Sequence, residues 1–215
     1  MQENVVIWSQ ARVGHNSDIM VSPTNRSVVE DKLKRANLAF SVVIENVQKL
    51  IDEEKVPIDN ETEKMGKSKR RHPMDWKSYH SQDDMEAYMD YLVKKYPKLA
   101  STEVIGTSYE NRTMRILRIC KGGTCGNKPA MWIDAGIHAR EWVTPATATY
   151  MMKELVENNK QYPSKITDLV DWYILPVLNP DGYEYTRTTD RLWRKNRYTF
   201  SRTCFLQLYL FHVCS

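Results

Sequence analysis

A histidine, an arginine and a glutamate lie within four positions in the segment GIHAREWVTP (136–145). Because His138 and Glu141 are three residues apart, both side chains can converge around a turn or at a helix start. Imidazole and carboxylate are ligands that Zn²⁺ accepts, and a catalytic zinc usually takes three protein ligands and a water. The spacing indicates two metal ligands, although the same pair also occurs where a glutamate complements a helix dipole beside a structural histidine.

The segments on either side of this motif are predicted to hold it at the edge of a sheet. The preceding apolar run PAMWIDAG (129–136) predicts a buried strand, and a helix is expected to follow, with Thr144 as N-cap and Pro145 as its first residue. Strands and helices alternate from residue 81 to residue 182, which predicts an α/β sandwich with a mixed, mostly parallel sheet. Sites in such sheets form at the carboxyl ends of strands, where His138 is expected.

The remaining elements are predicted from apolar spacing and from turn and cap residues. A helix over 81–97 is expected to begin with Ser81 as its cap and Asp84 three residues later. The other predicted elements of this part are strands over 103–109, 113–120 and 172–179, a short helix over 164–170 and a turn at NPDG (179–182). Upstream, strands over 5–9, 18–22 and 39–47 and a helix over 25–37 predict a small α+β unit.

A charged segment that ends in KSKRR (67–71) separates these two parts. It is interpreted either as a solvated linker or as a proteolytic activation site, since exposed basic linkers between domains are easily cut. Cleavage is expected at Arg70 or Arg71.

Composition argues against two classes of partner. The net charge is only +4 and the basic residues cluster in short runs, so nucleic-acid binding is not expected. No apolar stretch approaches the ~18 residues that a membrane-spanning helix needs, so no membrane association is expected either. The first residues, MQENVVIWSQ, lack the basic start and long apolar run of a signal peptide.

The chain has four cysteines, and none forms a CxxC pair, which argues against a thiolate zinc site. Cys120 and Cys125 flank KGGT and can close a small disulfide loop. Cys204 and Cys214 are the other candidates for a disulfide. Three N-x-S/T sequences, which start at residues 25, 60 and 111, fit a secreted protein.

Several separated motifs resemble the secreted zinc metallocarboxypeptidases, the carboxypeptidase A/B family. In the catalytic part these are MDWKSYHSQDDMEAYMDYLVKKYP, IGTSYENR, PAMWIDAGIHAREWVTPATATYMM and LPVLNPDGYEYTRTTDRLWRKNR. Upstream, IMVSP and DKLKRANLAFSVVIENVQKLIDEE resemble the second half of the family's activation prosegment. The resemblance runs from about Val5 to about Cys204.

This resemblance implies a fold and a domain order. The fold expected is part of a three-layer α/β sandwich with a mixed, mostly parallel sheet, preceded by a partial α+β ferredoxin-like prosegment. The expected boundaries are 1–50 for the prosegment, 51–73 for the linker with its basic cleavage site, 74–204 for the first half of the peptidase domain, and 205–215 for an unrelated apolar tail.

The resemblance also implies roles for individual residues. His138 and Glu141 match two of three ligands of a single zinc ion. Arg194 matches an arginine that polarises the scissile carbonyl and stabilises the oxyanion, and that contributes to substrate binding. Arg140 matches an arginine of the substrate-binding cleft. On their own, these two would be interpreted as solvated charges.

The implied activity is removal of single residues from the C-termini of peptides and proteins. The implied partners are these substrates and a trypsin-like protease that cuts after the basic run. The protein is expected to be extracellular and monomeric.

After Cys204 the sequence departs from the family pattern. The family's third zinc ligand, a histidine, and its glutamate general base have no matching position. A truncated chain without catalytic activity is therefore expected. The alternative is a prosegment-type inhibitor of intact carboxypeptidases. Cys204 lacks its implied family partner, and Cys214 is the expected substitute.

Overall fold

The computed structural model describes residues 5–9, 12, 14–54, 72, 74–159 and 166–198. The chain divides into two compact units, Met1–Lys55 and Val56–Ser215. The predicted cleavage residues Arg70 and Arg71 lie outside the described residues, as do Cys204, Cys214 and the apolar tail. The domain boundaries and the cleavage site therefore stay predictions.

The first unit contains two short strands and two helices. Strands β1 (Val5–Ile7) and β2 (Ile19–Val21) pair antiparallel. Helix α1 spans Arg26–Arg35 and follows a 3₁₀ turn, Pro23–Asn25. Helix α2 spans Val47–Glu54, so it includes the first residues of the predicted linker. The two strands and the first helix lie where the sequence predicts them.

The strand predicted over 39–47 is wrong, because residues 39–46 have no regular structure. This segment is rich in β-branched and aromatic residues, which favour strands only when a neighbouring strand or an apolar surface covers them. Here these side chains are exposed: Phe40 is 42%, Val42 46%, Val43 82% and Ile44 49% accessible.

The second unit is an α/β arrangement around a four-stranded sheet. Its helices are α3 (Gln82–Lys95), α4 (Val143–Val156), α5 (Ile166–Leu169) and α6 (Pro180–Thr188). Its strands are β3 (Ala100–Thr107), β4 (Thr113–Ile119), β5 (Ala130–Asp134) and β6 (Asp171–Leu175).

The strand order in this sheet is β3-β4-β6-β5. β4 pairs antiparallel with β3 and with β6, whereas β5 runs parallel to β6, with Ala130 opposite Asp171. The predicted α/β fold with a mixed sheet is confirmed. The described part of the sheet is not mostly parallel as predicted, since β5–β6 is a parallel pair whereas β3–β4 and β4–β6 are antiparallel.

The core of the second unit lies between the sheet and the helices α3 and α4. Its fully buried side chains include Tyr88, Met89, Leu92, Leu117, Ile119, Met152 and Ile174. The predicted start of α3 is confirmed, since the Ser81 hydroxyl accepts the Asp84 N–H at 3.1 Å and the Asp84 carboxylate accepts the Ser81 N–H at 3.2 Å. This reciprocal cap satisfies two donors at the helix start.

Two sequence-based details of this unit need correction. β5 is a strand as predicted but is not buried, because it pairs with β6 on one side and lies last in the described sheet; Met131 and Trp132 are 45% and 49% accessible. NPDG is not an isolated turn. Asn179 caps α6 and Pro180 begins it, since Asn and Pro are also helix-start residues.

Cys120 and Cys125 form a disulfide just after β4, around the 3₁₀ turn Lys121–Gly123. Within the described residues, none of the helices is long and apolar enough to cross a bilayer.

Candidate active site

The loop that carries His138 begins with a sharp turn after β5. Gly136 has φ +67°, and a Cβ there would lie 3.2 Å from Cγ of Pro145. Glycine adopts this backbone conformation without steric cost. The Gly136 carbonyl also accepts the N–H of Asn179 at 3.1 Å. The turn is therefore fixed against the chain that follows β6.

Thr144 closes this loop, but not as the predicted N-cap. Helix α4 already begins at Val143, so Thr144 and Pro145 lie inside its first turn. The Thr144 hydroxyl accepts the N–H of Gly136 at 3.0 Å and donates to the Glu141 carbonyl at 3.0 Å. Its polar group thus ties the two ends of the loop together instead of capping the helix.

The side chains of His138 and Glu141 meet at one place, with Nδ1 and Oε1 2.8 Å apart. The side chains are 33% and 45% accessible, so the pair is open to solvent. The carbonyl of His138 accepts the N–H of Glu141 at 3.1 Å, which forms the turn that brings the two side chains to the same side. The loop therefore presents one nitrogen and one oxygen donor together.

Arg194 completes this group from a segment 56 residues further along the chain. Its Nη2 lies 2.6 Å from Nε2 of His138. A guanidinium can only donate, so Nε2 must accept, and in a neutral imidazole Nδ1 then carries the proton that points to Glu141. The contact orients the ring so that Nδ1 is the nitrogen that faces the carboxylate.

Arg140 adds a second positive charge near Arg194. Burial and, after it, the charge of Arg194 lower the pKa of Arg140, while Glu141 opposes the shift. An arginine remains charged in spite of such a shift. The site therefore has two guanidinium groups close enough to repel each other, an arrangement that an anion would stabilise.

Two other arginines of the segment RLWRKNR hold the loop that carries Arg194. Arg191 lies 3.8 Å over the ring of Trp142 and donates to the Arg140 carbonyl at 2.8 Å. Arg197 lies 3.7 Å over the ring of Tyr185. The sequence prediction missed both. Residues 191–198 form neither helix nor strand, so no spacing signal in the sequence could have indicated these contacts.

The donors present fit part of a zinc site. A neutral imidazole nitrogen and a carboxylate oxygen that converge are an accepted ligand pair for this ion. Among the residues that the structure describes, we find no group of three or more His, Cys, Asp or Glu side chains that could hold a metal ion. These residues lie within 5–54, 72–159 and 166–198. In the described part of the chain, the candidate ligands that meet are therefore the pair His138 and Glu141.

Comparison with known sequences identifies relatives of both units. A profile described as zinc carboxypeptidase matches residues 85–206, and one described as carboxypeptidase activation peptide matches residues 1–54. Carboxypeptidase B of Astacus astacus is 52% identical over 124 residues, covering 58% of this chain and 40% of the relative. Zinc carboxypeptidase A 1 of Anopheles gambiae is 33% identical over 201 residues, covering 94% of this chain and 44% of the relative.

Solved structures agree with this match. The carboxypeptidase A of Helicoverpa armigera superposes with a TM-score of 0.79 at 30% identity over 91% of this chain. Thrombin-activatable fibrinolysis inhibitor superposes with a TM-score of 0.76 at 30% identity over 93% of this chain. The chain spans 47% and 49% of these two proteins, which is less than half their length. The chain belongs to the zinc carboxypeptidase family.

Proposed function

We propose that this chain carries part of the active site of a zinc-dependent exopeptidase that hydrolyses the C-terminal peptide bond of peptides and proteins. The observation that carries the proposal is the meeting of His138, Glu141 and Arg194 in one solvent-open group at the carboxyl end of β5. Family membership supports the reaction class.

His138 and Glu141 would hold one zinc ion. When bound, zinc acts as a Lewis acid and lowers the pKa of a coordinated water. Catalytic zinc usually takes three protein ligands, so a third ligand is required from outside the described residues. In the metal-free chain, the Arg194 contact and the turn at Gly136 keep the imidazole and the carboxylate on the same side. Zinc binding through Nδ1 would require this nitrogen to lose its proton; in a neutral imidazole Nε2 then carries the proton and releases the hydrogen bond from Arg194.

The two arginines are proposed to bind the substrate. Arg194 is exposed and lies beside His138, so its guanidinium can stabilise the negative charge that develops on the scissile carbonyl oxygen. Arg140 is proposed to lie in the substrate cleft, where a second guanidinium suits carbonyl and carboxylate groups of a peptide C-terminus.

The activation-peptide match over residues 1–54 supports the proposal that the protein is made as a zymogen. Cleavage after Arg70 or Arg71 by a trypsin-like protease would then release the first unit together with the segment that follows it. An extracellular location and a monomeric state belong to the same proposal.

The test measures zinc binding and peptidase activity separately on the purified chain. Zinc titration by calorimetry is expected to show weak binding that falls at least tenfold in His138→Ala and Glu141→Ala, since each removes one of two donors. His15→Ala, an exposed histidine of the first unit, is the matched control and is expected to bind like the parent. Equal binding by all four proteins would contradict the metal site.

Activity is measured after trypsin treatment as release of the C-terminal residue from N-blocked dipeptides. Release that requires His138 establishes the enzyme in this chain. Zinc binding without release identifies the catalytically inactive form that the sequence resemblance implies.

A second function is proposed on the activation-peptide match of residues 1–54: inhibition of intact carboxypeptidases. The exposed apolar side chains of residues 38–44 provide surface for such binding. When the whole chain is added to an active carboxypeptidase, the rate of hydrolysis is expected to fall as the fraction of enzyme in complex rises. A Phe40→Ser variant is expected to inhibit less, and an unchanged rate with excess parent chain would exclude this function.

A further inference from the structure

The side chain of Asn179 connects the segments that carry the candidate active site. Its Nδ2 donates to the carbonyl of Ile137 at 3.3 Å and to the carbonyl of Lys195 at 3.0 Å. Its Oδ1 accepts the N–H of Gly182 at 3.0 Å. An asparagine amide has two N–H donors and one acceptor oxygen, and all of them are used here.

The two carbonyls that Asn179 binds belong to the immediate neighbours of the site residues. Ile137 precedes His138, and Lys195 follows Arg194. Asn179 itself is 7% accessible, so its amide is shielded from water and would lose both of its acceptors if the two segments moved apart. Ile137 and Lys195 are exposed residues, and the Lys195 carbonyl also accepts the Nε1–H of Trp193 at 2.6 Å.

A direct backbone hydrogen bond lies beside this amide. The N–H of Ala139 donates to the carbonyl of Arg194 at 3.1 Å, and Ala139 is fully buried. This bond joins the same two segments, two residues from Ile137 on one side and one residue from Lys195 on the other. It therefore reports whether the His138 loop and the Arg194 loop stay together.

Gly182 shows how closely the three segments approach. A Cβ at this position would lie 2.5 Å from Nδ2 of Asn179, 2.7 Å from the Lys195 carbonyl oxygen and 2.8 Å from Cβ of Ala139. These distances are below normal van der Waals contact, so only glycine fits without displacing a neighbour. The junction has no space to adjust if one of its members moves.

From these contacts we propose that Asn179 is a positioning residue, which holds the His138 loop and the Arg194 loop in register so that the guanidinium reaches the imidazole. Its importance for catalysis rests on the proposed function. The simpler role is that of a helix cap, because the bond from Gly182 satisfies a donor at the start of α6.

Asn179→Ser separates the two roles. Serine caps a helix about as well as asparagine, so the bond from Gly182 can be kept, whereas a hydroxyl is too short to replace both donated hydrogen bonds. The measurement is amide hydrogen exchange at Ala139, with the Tyr183 amide as internal reference, because Tyr183 donates to the Asn179 carbonyl within α6.

In Asn179→Ser we expect Ala139 protection to fall on the order of tenfold, which corresponds to the loss of one to two hydrogen bonds. Tyr183 protection is expected to change less than twofold. Unchanged protection at Ala139, or an equal loss at both amides, would overturn the positioning role and leave Asn179 a cap.

Gly182→Ala is the second variant if Asn179→Ser does not fold. It keeps every hydrogen-bonding group but inserts a methyl group into the junction, and it is expected to weaken Ala139 protection as well. The exchange experiment needs neither zinc nor substrate. A failure of zinc binding or hydrolysis would therefore refute the proposed function without affecting this result.

Discussion

The two units of the chain differ in how far their apolar side chains are buried. In the second unit, Tyr88, Leu117 and Ile174 are fully buried between the sheet and its helices. In the first unit, neither α1 nor α2 has a buried residue, and Val43 is 82% accessible. Most helical stability in proteins comes from tertiary packing, so α1 and α2, as described, depend on local hydrogen bonds and surface ion pairs.

This difference shows that apolar content alone does not make a core. Both units are rich in branched and aromatic residues, but among the described residues it is the second unit that brings a sheet and two long helices together to cover them. The candidate active site is built on that second unit. A site that needs fixed distances between side chains is best supported by packed, regular elements.

We expect the largest difference between the units in the free energy of unfolding that is lost when an apolar side chain is shortened to alanine. Leu117→Ala removes a fully buried side chain of β4 and is expected to lower the free energy of unfolding by about 2–5 kcal/mol. Val43→Ala in the first unit is the matched control and is expected to change it by less than about 0.5 kcal/mol. Urea unfolding followed by circular dichroism measures both. Similar losses would contradict the contrast between the units.

Charged side chains are expected to show the same difference between the units, with a smaller effect on the free energy of unfolding. Asp181 is 3% accessible and accepts hydrogen bonds from the Ser108 hydroxyl at 2.6 Å, the Glu110 N–H at 3.0 Å and Arg112 at 2.8 Å. Burial opposes ionisation, but these three donors lower the pKa of Asp181. Asp181→Ala is expected to cost about 2 kcal/mol in the same unfolding experiment, because three donors lose their acceptor.

The control for Asp181 is Arg26, which pairs with Glu30 and Glu45 on the surface of the first unit. Arg26→Ala is expected to cost less than about 1 kcal/mol, since exposed pairs contribute little. A larger loss for Arg26 than for Asp181 would show that the first unit is held by its charges more strongly than its exposure indicates.

The contribution of the α3 cap to stability is expected to depend on pH. The imidazole of His80, whose Nδ1 lies 3.9 Å from Oδ2 of Asp84, lowers the pKa of Asp84 to about 2, and the hydrogen bonds from the Ser81 hydroxyl and N–H lower it further. An unfolded aspartate titrates near ~3.9, so the stability from this carboxylate is present above that pH and is lost as the pH falls towards about 2. Asp84→Ala is expected to cost about 1 kcal/mol at pH 7, the usual value of a cap, and almost nothing at pH 2. Thermal unfolding at the two pH values measures this, and an equal cost at both would contradict it.

The smallest expected effect concerns His80, which is 5% accessible. Burial lowers its pKa, but the carboxylates of Asp84 and Asp75 outweigh burial and raise it above the ordinary value. The stability that follows is complete below the unfolded pKa of ~6.5 and is lost as the pH rises through the folded value. We expect the melting temperature to decline over this range in the parent and to stay level in His80→Gln. A parent curve without this decline would be the contrary result.

The parts of the site that the sequence predicts are the local ones. His138 and Glu141 meet because a single turn connects them, and a three-residue spacing is enough to indicate this. Arg194 lies 56 residues away, and no spacing rule places it beside His138; its assignment came from the resemblance to known peptidases. The Asn179 amide was missed for the same reason, since its segment was interpreted as a turn and its contacts are with distant backbone carbonyls.

The failures of secondary-structure prediction also have physical causes. Residues 39–47 have the composition of a strand, but within the described residues they have no strand beside them. PAMWIDAG has the composition of a buried strand, yet the side chains of β5 are largely exposed. In the described sheet, β5 is the last strand and has a neighbouring strand on one side only. Helix α3 was predicted correctly, because its cap, its apolar face and its final lysines are all encoded within the helix itself.

The order in which the segments of the candidate active site are synthesised has a consequence for folding. The proposed zinc-ligand pair leaves the ribosome first, whereas the strand that lies beside β5, the amide that braces its loop and the arginine that orients its imidazole follow 33 to 56 residues after His138. Contacts between residues this far apart form late, after the chain that separates them has been made and closed into a loop. Under the proposed function, a zinc ion would meet a nascent chain in which His138 and Glu141 are already joined by their local turn, before the RLWRKNR segment docks and brings Arg194 to the imidazole.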